Sequence, residues 1–259
     1  MSSPVERTLS FARALGTRAG LEDLVTPSSR DQALRELVAD AGITRGDHVV
    51  ELGARGGRLL HHLRPVLAGR DARYTGVDVP STGTHAAQET AWSLALADYT
   101  RFVESESRTV VPLPSRSHDV AFLHFALHEL ASHERRSLLD DVHRVLNEGG
   151  RLLVAELAMG YDPGLVARTS AQRDAELRHL DPGRRLWNRL AGDRLLRMLE
   201  GAVAAQVRRG ALHAYDEPGL RAELDGAGFA VDWVKIAPQS GTISARAHVK
   251  ATAARRGSS

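Results

Sequence analysis

The chain has 259 residues, 42% apolar and 25% charged, with no cysteine; this suffices to bury a full core and excludes disulfides, thiolate metal sites and a cysteine nucleophile. Its 34 basic and 32 acidic residues are interspersed, with lysine only at Lys235 and Lys250, which argues for a mixed solvated surface and against a nucleic-acid partner. No run approaches the roughly 18 apolar residues of a membrane span and the Met-Ser-Ser-Pro start has no apolar signal region, so the expectation is a cytoplasmic protein with no membrane attachment.

Val5, Leu9, Phe11, Ala12 and Leu15 fall near helical spacing and predict a short amphipathic helix. Thr26-Pro27-Ser28-Ser29 then supplies a turn and capping residues for a helix over 30–41, with Leu34, Leu37 and Val38 on one face and Gly42 and Gly46 at its end. Next comes Asp47-His48-Val49-Val50-Glu51-Leu52-Gly53-Ala54-Arg55-Gly56-Gly57-Arg58-Leu59-Leu60. A β-branched apolar run ends in an acid, glycines follow, and a new apolar period begins, which reads as strand, tight turn and helix start. Glycines let a backbone approach a ligand closely, and a helix start offers N–H groups and a positive dipole end.

Leu59, Leu60, Leu63 and Leu67 mark that helix, whose adjacent His61 and His62 diverge and form no metal pair. Arg73 to Asp78 is a second strand ending in an acid. Asp78 stands 25 positions after Gly53, close to the roughly 20-residue spacing at which an acid on the next strand meets ribose hydroxyls. A helix runs from the polar Ser81-Thr82-Gly83-Thr84 link to Ala97, and Arg101-Phe102-Val103 is a third strand. The fourth spans 119–125, with Asp119 read as a structural acid. The segment after it carries His124, His128 and Glu129, where the strand ends of such a sheet face a ligand crevice. A helix over 133–146 buries Leu138, Leu139, Val142 and Val145, ends at Gly149-Gly150, and leads to a fifth strand over 151–157.

Two helices split by Asp181-Pro182-Gly183 fill 161–209, where Leu186, Leu190, Leu196, Leu199 and Val203 make the apolar stripe of a cap. A helix over 217–226 and two strands over 229–236 and 242–249, joined by Pro238-Gln239-Ser240-Gly241, close the chain ahead of a disordered tail.

This series resembles the class I S-adenosylmethionine-dependent methyltransferases, particularly the small-molecule, type 11-like subgroup. The resemblance runs from Ser29 to Glu156 and again from Glu217 to Ala251. Besides the two acid-terminated strands it rests on Val111-Pro112-Leu113-Pro114-Ser115-Arg116-Ser117-His118-Asp119-Val120, on Leu127-His128-Glu129-Leu130, and on Arg144 to Val154. It implies an α/β, Rossmann-like, seven-stranded and mostly parallel sheet with an antiparallel last strand, helices on both faces and a helical cap insertion. The expected divisions are an N-terminal helical segment (1–28), a cofactor-binding core (29–160), the cap (161–215), a helix and hairpin completing the core (216–251), and a tail (252–259). In the resembling family such an N-terminal helix often covers the cofactor or contributes to a homodimer, with plain packing on the core as the other reading, and insertions such as 161–215 commonly shape substrate pockets.

The implied cofactor is S-adenosylmethionine, the implied product S-adenosylhomocysteine, and the partner a small-molecule acceptor. Glu51 and the backbone of Gly53 to Gly57 should meet the amino-acid end of the cofactor, Asp78 its ribose, and Ser107 with Glu106 its adenine. Two positions depart from the family pattern. Arg55 stands at the middle glycine of acid-x-Gly-x-Gly-x-Gly and either turns away, binds the cofactor carboxylate or obstructs it; His118 stands where phenylalanine is usual.

Methyl transfer from a sulfonium needs a base only when the acceptor must lose a proton. His128 and His124 are the candidates, because imidazole titrates near neutral pH; a histidine satisfied by one structural hydrogen bond is the other reading of each. A metal site built on them is not expected. Glu129, Tyr161, His213 and Tyr215 are candidates to line the acceptor pocket. Three functions stay open: methylation of a small molecule in secondary metabolism, a non-methylating reaction such as cyclisation or rearrangement on the same fold, and a non-catalytic binding protein whose cofactor site Arg55 has closed.

Overall fold

The structure is a computed structural model that describes residues 28–54, 56–79, 83–160, 204–238 and 241–250. The expected N-terminal helix, Arg55, most of the cap and the tail lie outside these residues. In chain order the elements are α1 (Ser28–Asp40), β1 (His48–Leu52), α2 (Arg58–Arg70), β2 (Arg73–Asp78), α3 (Gly83–Ser93), a single 3₁₀ turn (Ala97–Tyr99), β3 (Thr100–Glu104), β4 (His118–His124), α4 (Ser132–Val145), β5 (Leu146–Leu157), α5 (Glu217–Gly226), β6 (Phe229–Ala237) and β7 (Thr242–Val249). They build the expected α/β architecture, a seven-stranded sheet in the order β3-β2-β1-β4-β5-β7-β6, in which β7 alone runs antiparallel to its neighbours. No helix among the described residues is long and apolar enough to cross a membrane.

Burial follows position in the sheet. The inner strands β1, β2 and β4 are buried almost continuously, as parallel strands covered on both faces must be, whereas β3 and β6 at the edges are largely half-exposed. Alternate residues of the inner strands feed two cores. Val50, Leu52, Ala121, Leu123, Leu152 and Val154 face α4 and α5, against Leu138, Leu139, Val142, Leu220 and Leu224. Val49, Tyr74, Val120, Phe122 and Leu153 face α1 and α2, against Leu34, Leu37, Leu59, Leu60, Leu63 and Leu67. Asp119 is a structural acid, accepting from the His48 backbone N–H at 2.8 Å and the Asn147 amide at 2.7 Å, so it ties β1 to β5 at the foot of the sheet.

Several expected boundaries move, among them the start of the fifth strand, which is Leu146 rather than Arg151, and two helix ends. The helix after β2 stops at Ser93 rather than Ala97 because Ala95 adopts a left-handed conformation (φ 57°), and the Leu96 N–H turns back to Ala91 O at 2.8 Å. The helix after β4 ends at Val145, ahead of Gly149-Gly150, since the Arg144 and Val145 carbonyls accept from Arg116 and Ser117 and Leu146 already pairs with His118. The Val111-Pro112-Leu113 stretch has no strand partner; Arg144 donates to Val111 O and Leu113 O, both at 2.9 Å, and Asp141 accepts from Val111 N–H at 2.5 Å. Those side chains from α4 satisfy a backbone that would otherwise be unpaired beside the core.

His118 is 4% exposed, with Ser117 Oγ 2.8 Å from Nδ1 and Thr75 Oγ1 3.4 Å from Nε2. Burial, and then the neighbouring His48 and Arg101, depress its pKa to about 4, against a smaller opposing pull from Asp119. Between about pH 6.5 and 4 the unfolded chain therefore holds a proton that the folded chain does not, so stability falls as pH falls through that window, by at most about 3 kcal/mol. His213 is shifted in the same direction, so His118 accounts for part of the slope. His118→Phe is expected to flatten that part, measured as the urea midpoint at pH 7 and pH 5; an unchanged difference between the two would refute the assignment.

Candidate functional site

The carboxyl ends of β1, β2, β4 and β5 gather the residues in question. Leu52 leads directly into Gly53, whose φ of 77° suits glycine and whose N–H donates to Val77 O at 2.9 Å, holding the turn against β2. Among the described residues a side chain at Gly53 would meet only Ala126 Cβ at 3.8 Å, so the turn borders the segment after β4. Gly57 differs. Its φ is 74°, a Cβ there would press on Ala87 and Thr90 of α3 at 3.1 and 3.2 Å, and Thr90 Oγ1 bonds Gly56 O at 2.8 Å. Gly57 thus lets α2 pack closely on α3, whatever its backbone does for a ligand.

Glu51 is 2% exposed and accepts a 2.5 Å hydrogen bond from the Tyr74 hydroxyl, so it sits under the turn rather than at an open mouth. Asp78 is half-buried at the end of β2, beside Glu104 in register, and its Oδ1 accepts from Val79 N–H at 2.8 Å. After β3 the chain folds on itself. Ser105 Oγ donates towards Ser107 O and Val110 O, and Ser107 Oγ lies 3.0 Å from Thr109 Oγ1. Ser107 is half-buried and Glu106 exposed, while Ser105 N–H reaches Asp78 O at 2.8 Å and binds this loop to the end of β2.

The segment after β4 begins at Phe125, a bulky residue at φ 51° that stores about 1 kcal/mol of strain in turning the chain off the sheet. It brings His128 back over β5. His128 is 1% exposed; its Nδ1 lies 2.9 Å from Glu156 Oε2, and Glu156 Oε1 accepts from Leu127 N–H at 2.6 Å. On the other side His128 Nε2 stands 3.9 Å from Glu129 Oε1, and Glu129 is paired with Arg108 at 3.0 Å. The His128 carbonyl accepts from His213 N–H at 2.8 Å. His124 is half-buried at the strand end with its ring edge-on to Phe125 at 4.8 Å, and Phe125 in turn meets the His128 ring edge-on at 5.9 Å. Among the described residues no three His, Asp or Glu side chains gather as a metal ion would require.

His213 and Tyr215 lie on a segment that runs beside the end of β5, their rings edge-on at 4.4 Å. Tyr215 is 1% exposed and packs in the core beneath α5. Burial first, then Glu223 and Glu156, raise its pKa far above the usual phenol range. Burial and the nearby Arg135 lower that of half-buried His213, against opposing pulls from Glu223, Glu156 and Asp216. Tyr161 lies outside the described residues.

Glu156 was not singled out from the sequence. Its signal is a lone acid closing the apolar run Leu152-Leu153-Val154-Ala155, at a strand end, where a carboxylate is buried only if something holds it.

Residues 50–154 match the family model of the methyltransferase domain. No curated protein matches the chain by sequence. Among solved structures, an S-adenosylmethionine-dependent methyltransferase from Aquifex aeolicus is similar with a TM-score of 0.60 at 18% identity, covering 89% of this chain and 97% of that one. One from Methanosarcina mazei is similar at 0.56 and 16%, covering 82% and 96%. The [4+2]-cyclase SpnF is similar at 0.56 and 14%, covering 85% and 80%. The domain match across the glycine turn and the sheet order described above agree: residues 50–154 are similar to the methyltransferase domain family, and the chain has the Rossmann-like methyltransferase fold.

Proposed function

We propose that the protein transfers a methyl group from S-adenosylmethionine to a small organic acceptor. The observation that carries this reading is the His128–Glu156 pair, held on a segment whose Ala126 borders the Gly53 turn, so that a proton acceptor and the proposed cofactor cradle share the carboxyl end of the sheet. The residues suit the cofactor chemically. Gly53 puts no side chain on its side of the turn, and Asp78 offers a carboxylate for two ribose hydroxyls at the end of the adjacent strand. Ser107 and Glu106 follow β3 on the side proposed for the adenine. When bound, S-adenosylmethionine supplies a methyl group on a positively charged sulfur.

The chain's own part is to orient, to exclude water and to take a proton. His128 Nε2 accepts the proton of an acceptor O–H or N–H while Glu156 fixes the ring through Nδ1. Glu129 and His213, beside His128, are proposed to contact the acceptor. His124 remains a proposed second base at the strand end.

A buried histidine–glutamate pair also suits proton transfer without methylation, which favours the non-methylating reaction as the second reading. The test is calorimetric titration of S-adenosylmethionine and S-adenosylhomocysteine into the purified chain, followed by assay of S-adenosylhomocysteine during turnover of small hydroxylated and amine acceptors. Saturable binding with one equivalent formed per turnover is the expected result. Binding with turnover but no S-adenosylhomocysteine would give the second reading, and absence of binding would overturn both.

A further inference from the structure

Tyr74 occupies the second position of β2, level with Val49 of β1, where an inner parallel strand needs nothing more than a β-branched apolar residue. A tyrosine there is 1% exposed, and its hydroxyl ends 2.5 Å from Glu51 Oε2. A carboxylate taken out of water needs a donor and a buried phenol needs an acceptor, so each makes the other's burial tolerable. The ring is held from the sheet edge inward. A Cβ on Gly76 would come within 2.8 Å of Phe102 Cδ1; without it, Phe102 lies across β2 and meets the Tyr74 ring edge-on at 5.9 Å. The line of contacts runs Gly76, Phe102, Tyr74, Glu51, and Glu51 precedes the Gly53 turn by two residues.

From this geometry we infer that Tyr74 is a positioning residue for the cofactor, fixing the Glu51 carboxylate beneath the Gly53 turn as a held acceptor for the ammonium end of S-adenosylmethionine. The inference rests on the function proposed above. It goes beyond the family pattern, which supplies the acid and the glycines but assigns nothing to the second residue of β2. Burial, followed by the charges of Glu51 on β1 and Asp78 on β2, keeps the Tyr74 pKa well above the ordinary phenol range. Tyr74 is therefore a hydrogen-bond donor at every pH at which the protein works.

The experiment is calorimetric titration of S-adenosylhomocysteine into the full chain at about pH 5.5, 7 and 8.5 for the wild type, Tyr74→Phe and Glu51→Gln, with melting temperatures taken without ligand. Tyr74→Phe is expected to bind about tenfold more weakly at pH 7, the loss of one hydrogen bond to a charged group. It should weaken further at pH 5.5, because a buried carboxylate that has lost a donor is protonated more readily. A merely structural tyrosine would lower the melting temperature without introducing that pH slope. A variant that binds with wild-type affinity and wild-type pH profile overturns the inference and leaves the proposed function standing. Should Tyr74→Phe not fold, Tyr74→Met decides by the same readouts: weaker binding that weakens further at pH 5.5 supports the inference, and wild-type affinity and pH profile overturn it; Glu51→Gln, whose amide oxygen still accepts from the Tyr74 hydroxyl, should show no such pH slope. Absence of binding by the wild type removes the proposed function, and the inference falls with it.

Discussion

His128→Asn is expected to lower the rate of methyl transfer about 10²- to 10⁴-fold, the usual worth of a positioned general base. Asparagine keeps a donor for Glu156 and the fold should survive, so the loss should appear in kcat while S-adenosylhomocysteine binding stays at the wild-type level. Glu156→Gln is the companion. It keeps an acceptor for Leu127 N–H but removes the charge that orients His128, and it should give a smaller kcat loss with the same unchanged binding. Glu156→Ala is a harsher change, because it strands the Leu127 N–H and His128 Nδ1 in a fully buried place at about 1–3 kcal/mol each. Wild-type kcat in His128→Asn would sink the base role and leave orientation as the whole of the catalysis.

The second large effect is on the cofactor. Asp78→Ala should weaken S-adenosylmethionine binding about 100-fold, from two hydrogen bonds to a charged acceptor at about 1.5 kcal/mol each. Because Asp78 is half-buried at a strand end, where its Oδ1 accepts from its neighbour's N–H, the melting temperature without ligand should change little. Calorimetry reads the first quantity and thermal unfolding the second. Unchanged affinity would place the ribose elsewhere, and a large drop in melting temperature would recast Asp78 as structural.

Much of this fold was legible because its signals are local. Val49-Val50 and Ala121-Phe122-Leu123 are strands buried on both faces, and Leu59, Leu60, Leu63 and Leu67 repeat at helical spacing. The boundaries that moved had no local signal. Ala95 ends α3 in a conformation that usually announces itself with glycine, and α4 ends where the loop ahead of β4 takes its last carbonyls. The site divides the same way. The positions of Asp78 and the Gly53 turn at strand ends could be read from spacing, whereas the packing of Gly57 against α3 could not. Glu156 meets His128 across 28 positions and Tyr74 meets Glu51 across 23. No periodicity reports such pairs, because each is set by strand order and register.

The strand order also has a bearing on how the chain is made. β7 is synthesised after β6 yet lies between β6 and β5, pairing with both. Until residues 242–249 leave the ribosome, the flank of β5 that ends in Glu156 has no neighbour, and its unpaired backbone is open to other chains. The segment that backs His128 is therefore among the last to be secured, and nascent chains stalled before β7 should be the ones that chaperones hold and proteases remove.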